Sequence, residues 1–148
     1  MKPFAIVVSR FNPEVTQGLL SGAKEYLAEK KIQVHTDDLF DAPGAFEIPL
    51  IAQTLAKTGK YAGVIGLGCV IKGDTAHFEF ISLGTAVGIQ QASLSTGVPI
   101  TFGVLTTYTD EQALTRSRPN AENKGREAAG AAYEAAQLIQ KIEGSSQN

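Results

Sequence analysis

Two histidines and one cysteine are the most reactive side chains open to this 148-residue chain. His77 ends the stretch Gly73-Asp74-Thr75-Ala76-His77, which follows an apolar run and opens a helical one. A helix start presents free N–H groups and a positive dipole end, both suited to a phosphate. Gly73 lets a backbone approach such a group closely. An ordinary strand-to-helix turn uses the same residues. Asp74 would have to turn its carboxylate away from a dianion and bind through its N–H, with the Thr75 hydroxyl beside it. An imidazole in the first turn of that helix can move protons near neutral pH. A packed or surface histidine is the plainer reading, and His35 is given that reading outright.

Other groups could complete a binding site. Glu47, in Gly44-Ala45-Phe46-Glu47-Ile48-Pro49, could complement a helix dipole or accept hydrogen bonds from ligand hydroxyls. Phe11, in Arg10-Phe11-Asn12, is either a hydrophobic staple or a stacking platform. Arg116 and Lys124 flank a polar connection; an arginine can bind phosphate through two parallel hydrogen bonds, and a solvated surface charge is the alternative. Cys69 reads as a small buried residue with nothing nearby to make a thiolate. Several chemistries lack their motifs. Gly66-x-Gly68 does not complete G-x-G-x-x-G, no P-loop or G-x-S-x-G elbow occurs, and no Cys/His cluster has metal-ligand spacing.

The elements that must position these groups alternate between strand and helix. Phe4 to Val8 is an apolar β-branched run that reads as a buried strand. Asn12 offers an N-cap with Pro13 at N1, and Val15, Leu19, Ala23 and Leu27 share one helical face. Ile32 to Thr36 alternates as a strand. Glu47 to Thr58 reads as a helix stopped by Gly59, and Ala62 to Val70 as a second buried strand. Thr75 to Thr96 is helical, and Pro99 to Thr106 is the next strand. Thr109-x-x-Gln112 is a capping box, and Asn123 to Ile142 is an Ala-rich helix ending at Gly144. Residues 1–143 read as one domain, and 144–148 as a disordered tail. This alternation predicts an α/β fold: a flavodoxin-like three-layer α/β/α sandwich around a four-stranded parallel sheet. Ligands in such sheets bind beyond the carboxyl ends of the strands, where strand order reverses.

Composition narrows the class. The net charge of −2 supplies no basic surface for nucleic acid. No window approaches a membrane span, and the N-terminal run is too short for a signal peptide. A soluble cytoplasmic protein is the expectation. Charged residues make up 19%, low for a small monomer. From Gly73 to Thr115 there is no Lys or Arg, and the helix over 75–96 carries one charge, Glu79. Apolar residues surround its axis, so a second face needs cover from another copy of the chain.

Five segments, met in order, resemble the successive motifs of the lumazine synthases. They are Arg10-Phe11-Asn12, Gly44 to Pro49, Gly68-Cys69-Val70-Ile71-Lys72-Gly73-Asp74-Thr75-Ala76-His77-Phe78, Phe102 to Thr107, and Asn123-Lys124-Gly125. The resemblance spans Ile6 to about Ile142, and its most specific part is G-x-V-I-K-G-x-T-x-H. It implies condensation of 5-amino-6-(D-ribitylamino)uracil with 3,4-dihydroxy-2-butanone 4-phosphate in riboflavin biosynthesis. The product is 6,7-dimethyl-8-ribityllumazine, and no metal or organic cofactor is needed. It further implies that Phe11 stacks on the pyrimidine and that Ala45, Phe46 and Glu47 face the ribityl chain. Cys69, Val70 and Ile71 would bind the pyrimidine mainly through backbone. Asp74, Thr75 and Arg116 would hold the phosphate, and His77 would move protons. Phe102, Arg116 and Lys124 would arrive across a subunit boundary. The partners implied are further copies of the chain, in a homopentamer, and riboflavin synthase. Two departures bear on larger assemblies, a short N-terminus and the Ser117 to Glu122 connection, and they leave a decamer or a sixty-subunit shell open. A non-catalytic flavin or lumazine carrier, or a shell protein, is the alternative to an enzyme.

Overall fold

Short β-branched runs and amphipathic stretches fold as their periodicity requires. The structure, a computed structural model, describes residues 1–146. The strands are β1 (Phe4–Ser9), β2 (Leu39–Ala42), β3 (Gly63–Ile71) and β4 (Ile100–Thr107). The helices are α1 (Pro13–Glu29), α2 (Ile48–Lys57), α3 (His77–Thr96), α4 (Asp110–Arg116) and α5 (Lys124–Ser146). All strand pairs are parallel, in the order β2-β1-β3-β4. The order reverses between β1 and β3.

Each strand sends alternate residues to opposite faces. Phe4, Ile6, Val8, Ile65 and Leu67 face one layer, with Val15, Leu19 and Leu27 of α1 and Ala128, Ala129 and Ala132 of α5. Ala5, Val7, Val64 and Val104 face the other, with Ile48 and Ala52 of α2 and Ile89 and Ala92 of α3. The result is the expected three-layer sandwich. Truncating a fully buried Leu19 or Leu27 to Ala would cost about 2–5 kcal/mol.

Three local expectations need correction. The strand expected at Ile32–Thr36 lies instead at Leu39–Ala42, paired to β1 from Ile6↔Leu39 to Ser9↔Ala42. The alternation there is real, since Ile32 and Val34 pack against the core cluster. However, a positive-φ turn at Lys31 and a 3-10 turn at Thr36–Asp38 keep this segment off the sheet. Asn12 does not cap α1 with its side chain; it sits in the left-handed region at φ 57°, ψ 59°. Asparagine tolerates that conformation better than most residues. Finally, α5 runs on through Gly144 to Ser146, and residues 147–148 lie outside the described residues.

The capping box at Thr109 forms, but asymmetrically. Gln112 N–H donates to Thr109 Oγ1 at 3.1 Å, whereas Gln112 Oε1 accepts from the N–H of Tyr108 rather than of Thr109. The short α4 thereby leaves β4 in a fixed direction and carries Arg116 at its end.

Candidate active site

The first cleft opens where β1 and β3 end side by side, at the reversal of strand order. Its volume is about 440 Å³, and its walls are Phe11, Asn12, Gly44 to Glu47, Cys69 to Ile71, His77 and Ile81. The left-handed turn at Asn12 leaves Phe11 two-thirds exposed at the rim. The Asn12 carboxamide donates to the Cys69 carbonyl at 3.2 Å and so ties the end of β1 to the end of β3. Across the cleft, a 3-10 turn at Ala45–Glu47 precedes α2. Its Phe46 rests over Gly84 of α3, where an added methyl would lie 2.8 Å from the ring. A methyl at Gly44 would lie 3.3 Å from the Phe11 ring and 3.4 Å from Glu47 Oε1. Phe11 and Glu47 therefore converge on one small space.

Strand alternation decides what Cys69 can do. Val70 lies with the α2/α3 layer, which borders the cleft, whereas the Cys69 side chain packs with Leu105 and Ala113 in the α1/α5 layer. Cys69 thus meets the cleft through its backbone. Burial pushes its thiol up to about 11, and the nearby Asp110 adds to the rise. A thiolate nucleophile is disfavoured there.

His77 is the first residue of α3 and is exposed. Its N–H donates to Thr75 Oγ1 at 3.4 Å. Asp74 and Thr75 lie in the exposed loop before α3, and neither lines this cleft. Lys72 of that loop donates its N–H to the Thr107 carbonyl and sits over the Tyr108 ring, 5.6 Å from its centroid.

The remaining expected residues gather elsewhere. Phe102, Arg116 and Lys124 line a second cleft of about 460 Å³, with Thr106, Thr107, Thr115, Glu122 and Glu127. This cleft lies along β4, the sheet's edge strand. Both cations are engaged within the chain: Arg116 Nη1 donates to the Gln112 carbonyl at 3.0 Å, and Lys124 pairs with Glu127 at 3.1 Å. An exposed pair of this kind is worth under about 1 kcal/mol and yields readily to an anion. No residue lines both clefts.

Sequence reasoning missed Asn12, Gly44 and Ile81 as cleft walls and Glu127 as the partner of Lys124. Ile81 had a usable signal. It stands four residues after His77, and side chains at that spacing share a helix face.

The family model described as 6,7-dimethyl-8-ribityllumazine synthase matches residues 2–140. The chain is 64% identical over 138 residues to "6,7-dimethyl-8-ribityllumazine synthase 1" of Caulobacter vibrioides, covering 93% of this chain and 90% of that protein. It is 48% identical over 141 residues to the 6,7-dimethyl-8-ribityllumazine synthase of Salinibacter ruber, covering 95% and 90%. With its sheet, its first cleft and these matches in agreement, the chain belongs to the 6,7-dimethyl-8-ribityllumazine synthase family and has that activity in riboflavin biosynthesis.

Proposed function

We propose that the chain joins 5-amino-6-(D-ribitylamino)uracil to 3,4-dihydroxy-2-butanone 4-phosphate in a site built by two copies, the first cleft of one facing the second cleft of the next. One observation carries this reading: apart from Asp74 and Thr75 in the exposed loop before α3, the motif residues divide between two clefts of a single chain, with none shared. In the first cleft Phe11 stacks on the pyrimidine. Backbone groups of Cys69, Val70 and Ile71 meet the ring's polar edge. Ala45 and Phe46 flank the ribityl chain, and Glu47 accepts from its hydroxyls. From the exposed loop beside the cleft, just before His77, Asp74 and Thr75 hold the phosphate through N–H and hydroxyl groups. The neighbouring copy adds Arg116 and Lys124 as cations and Phe102 as an apolar wall.

The 5-amino group attacks the ketone carbon, and loss of water leaves an imine. Loss of a proton from the neighbouring hydroxyl-bearing carbon then expels phosphate, and the enol left behind ketonises to a carbonyl beside a new methyl group. The ribitylamino nitrogen attacks the second carbonyl formed, and a second water leaves as the ring closes. Amine and ketone react without assistance when held together, so orientation supplies much of the rate. His77, at the cleft wall, moves protons in the dehydration steps.

Cover for α3 supports the pairing of copies. Phe80, Leu83, Val87 and Leu94 form an outward apolar row, with Phe80 74% and Leu94 75% exposed. Such a row calls for burial between subunits, and we read the assembly as a homopentamer.

The test mixes two damaged chains. His77→Ala and Arg116→Ala are co-expressed and the hybrid assembly is assayed against each parent alone, with the phosphorylated ketone well below its wild-type KM so that both parents are impaired. A site shared between copies regains about a quarter of the wild-type rate, since random pairing leaves that share of sites intact. A rate no higher than the parents' average would place both clefts' chemistry within one chain and overturn the reading.

A further inference from the structure

We infer that Asn123 is a positioning residue for the reaction: its carboxamide clamps the connection between α4 and α5, and so fixes Arg116 and Lys124 at the second cleft. The inference rests on the reading of those two cations as the phosphate grip.

Asn123 is 1% exposed, the only asparagine buried among the described residues. Its Nδ2 donates to the Gly18 carbonyl at 3.1 Å and to the Arg118 carbonyl at 2.9 Å. Its Oδ1 accepts from the N–H of Arg126 at 3.0 Å and caps α5. Capping alone does not explain the residue. Serine, threonine or aspartate would supply the acceptor equally well. Asparagine adds two donors on the same short side chain, and both are spent on carbonyls outside α5. One belongs to α1, the other to the connection that starts just after Arg116.

The opposing surface is shaped to receive it. A methyl at Gly22 would strike the Asn123 carboxamide, and one at Gly18 would strike the Ser117 carbonyl. On α5, a methyl at Gly125 would strike the backbone of Leu19. Glycine inside a helix costs roughly 1 kcal/mol relative to alanine, and α1 carries Gly18 and Gly22 one turn apart. Their common use is a notch in which the connection docks. Ser117 is buried beside it and donates its hydroxyl to the Leu114 carbonyl. Both ends of the connection are thus pinned, with Arg116 immediately before it and Lys124 immediately after.

Asn123→Ser keeps the cap and removes both donors. In the assembled protein it should raise KM for 3,4-dihydroxy-2-butanone 4-phosphate about tenfold or more, as expected for a displaced binding group. The KM for the pyrimidine should stay as in the parent, and the variant should remain folded and assembled, with a lower melting temperature from the two lost buried hydrogen bonds. Inorganic phosphate, titrated as a competitor, should weaken in parallel. Gly22→Ala, which pushes the carboxamide from the α1 side, should reproduce the same selective defect. Equal changes in both KM values and in kcat would make Asn123 a purely structural residue and overturn the inference, as would loss of folding in both variants. An unchanged KM in folded Asn123→Ser also overturns it, and Arg116→Ala then separates the cases. If Arg116→Ala raises the same KM, the phosphate grip stands without the clamp; if it does not, both fall.

Discussion

The two clefts are built on different physics. The first lies at the reversal of strand order and is walled by Phe11, Phe46, Val70, Ile71 and Ile81, with Glu47 and His77 as its ionisable side chains beside the buried Cys69. The second lies along an edge strand and gathers Arg116, Lys124, Glu122, Glu127 and three threonines. One suits a planar ring whose polar edge is read by backbone. The other suits an anion. Backbone and aromatic surfaces orient a ligand without long side chains, whereas a phosphate needs cations, here Arg116 and Lys124, whose present contacts are weak enough to exchange. In the proposed function a neighbouring copy brings the two together.

The largest test of that contrast touches neither cleft. Leu83→Lys places a charge in the outward apolar row of α3. The expected outcome is a single chain by sedimentation, with the rate reduced to that of the uncatalysed mixture. A monomeric variant at full rate would mean that each cleft is a site of its own.

Next in size are paired substitutions, one per cleft. His77→Ala should lower kcat by about 10²–10⁴-fold and leave a measurable enzymatic rate. Arg116→Ala should act on KM for the phosphorylated ketone, by roughly 10–100-fold for a lost charge-assisted contact. Steady-state kinetics with each substrate varied in turn distinguishes the two. Complete loss in a folded His77→Ala variant would replace an orientation-dominated mechanism with one that depends on the imidazole.

The smallest effect concerns the back of the first cleft. Cys69→Ala should leave both KM values unchanged, because the side chain points into the α1/α5 layer. It should alter alkaline stability instead. The folded thiol holds its proton up to about 11, against 9.0 in the free residue. Between those values the unfolded chain has lost the proton and the folded chain has not, so stability declines as pH rises. The decline from Cys69 amounts to about 2–3 kcal/mol and should vanish in Cys69→Ala. Tyr61 is raised too, by burial and by its hydrogen bond to Asp38, and leaves a residual slope. Urea unfolding at pH 8 and pH 10.5 measures both; a parent without extra alkaline loss would show that the thiol is not shielded.

Legibility in the sequence followed the range of the interactions. Phe4 to Val8 and the Val15-Leu19-Ala23-Leu27 stripe carry their periodicity locally, and both became elements where expected. Thr109-x-x-Gln112 announced α4, although the partner of Gln112 proved to be Tyr108. The misplacement of β2 has a different origin: Ile32 and Val34 alternate because they pack on the core, and packing without ladder bonds has the same pattern as a strand. Asn12 read as an N-cap because the sequence contains its side chain but not its backbone angles. The separation of Phe102 and Arg116 from Phe11 was expected only from family resemblance. Nothing in their local spacing states on which edge of a sheet they fall.

Burial of the sole cysteine has a practical corollary for spectroscopy. Burial also holds the thiol protonated at neutral pH. A maleimide dye therefore finds almost no native target. A cysteine introduced at an exposed helix position, as in Glu134→Cys, becomes the one labelling point of the chain. Donor and acceptor dyes attached there on separate batches would report each encounter between copies as energy transfer, in the wild-type background and in real time.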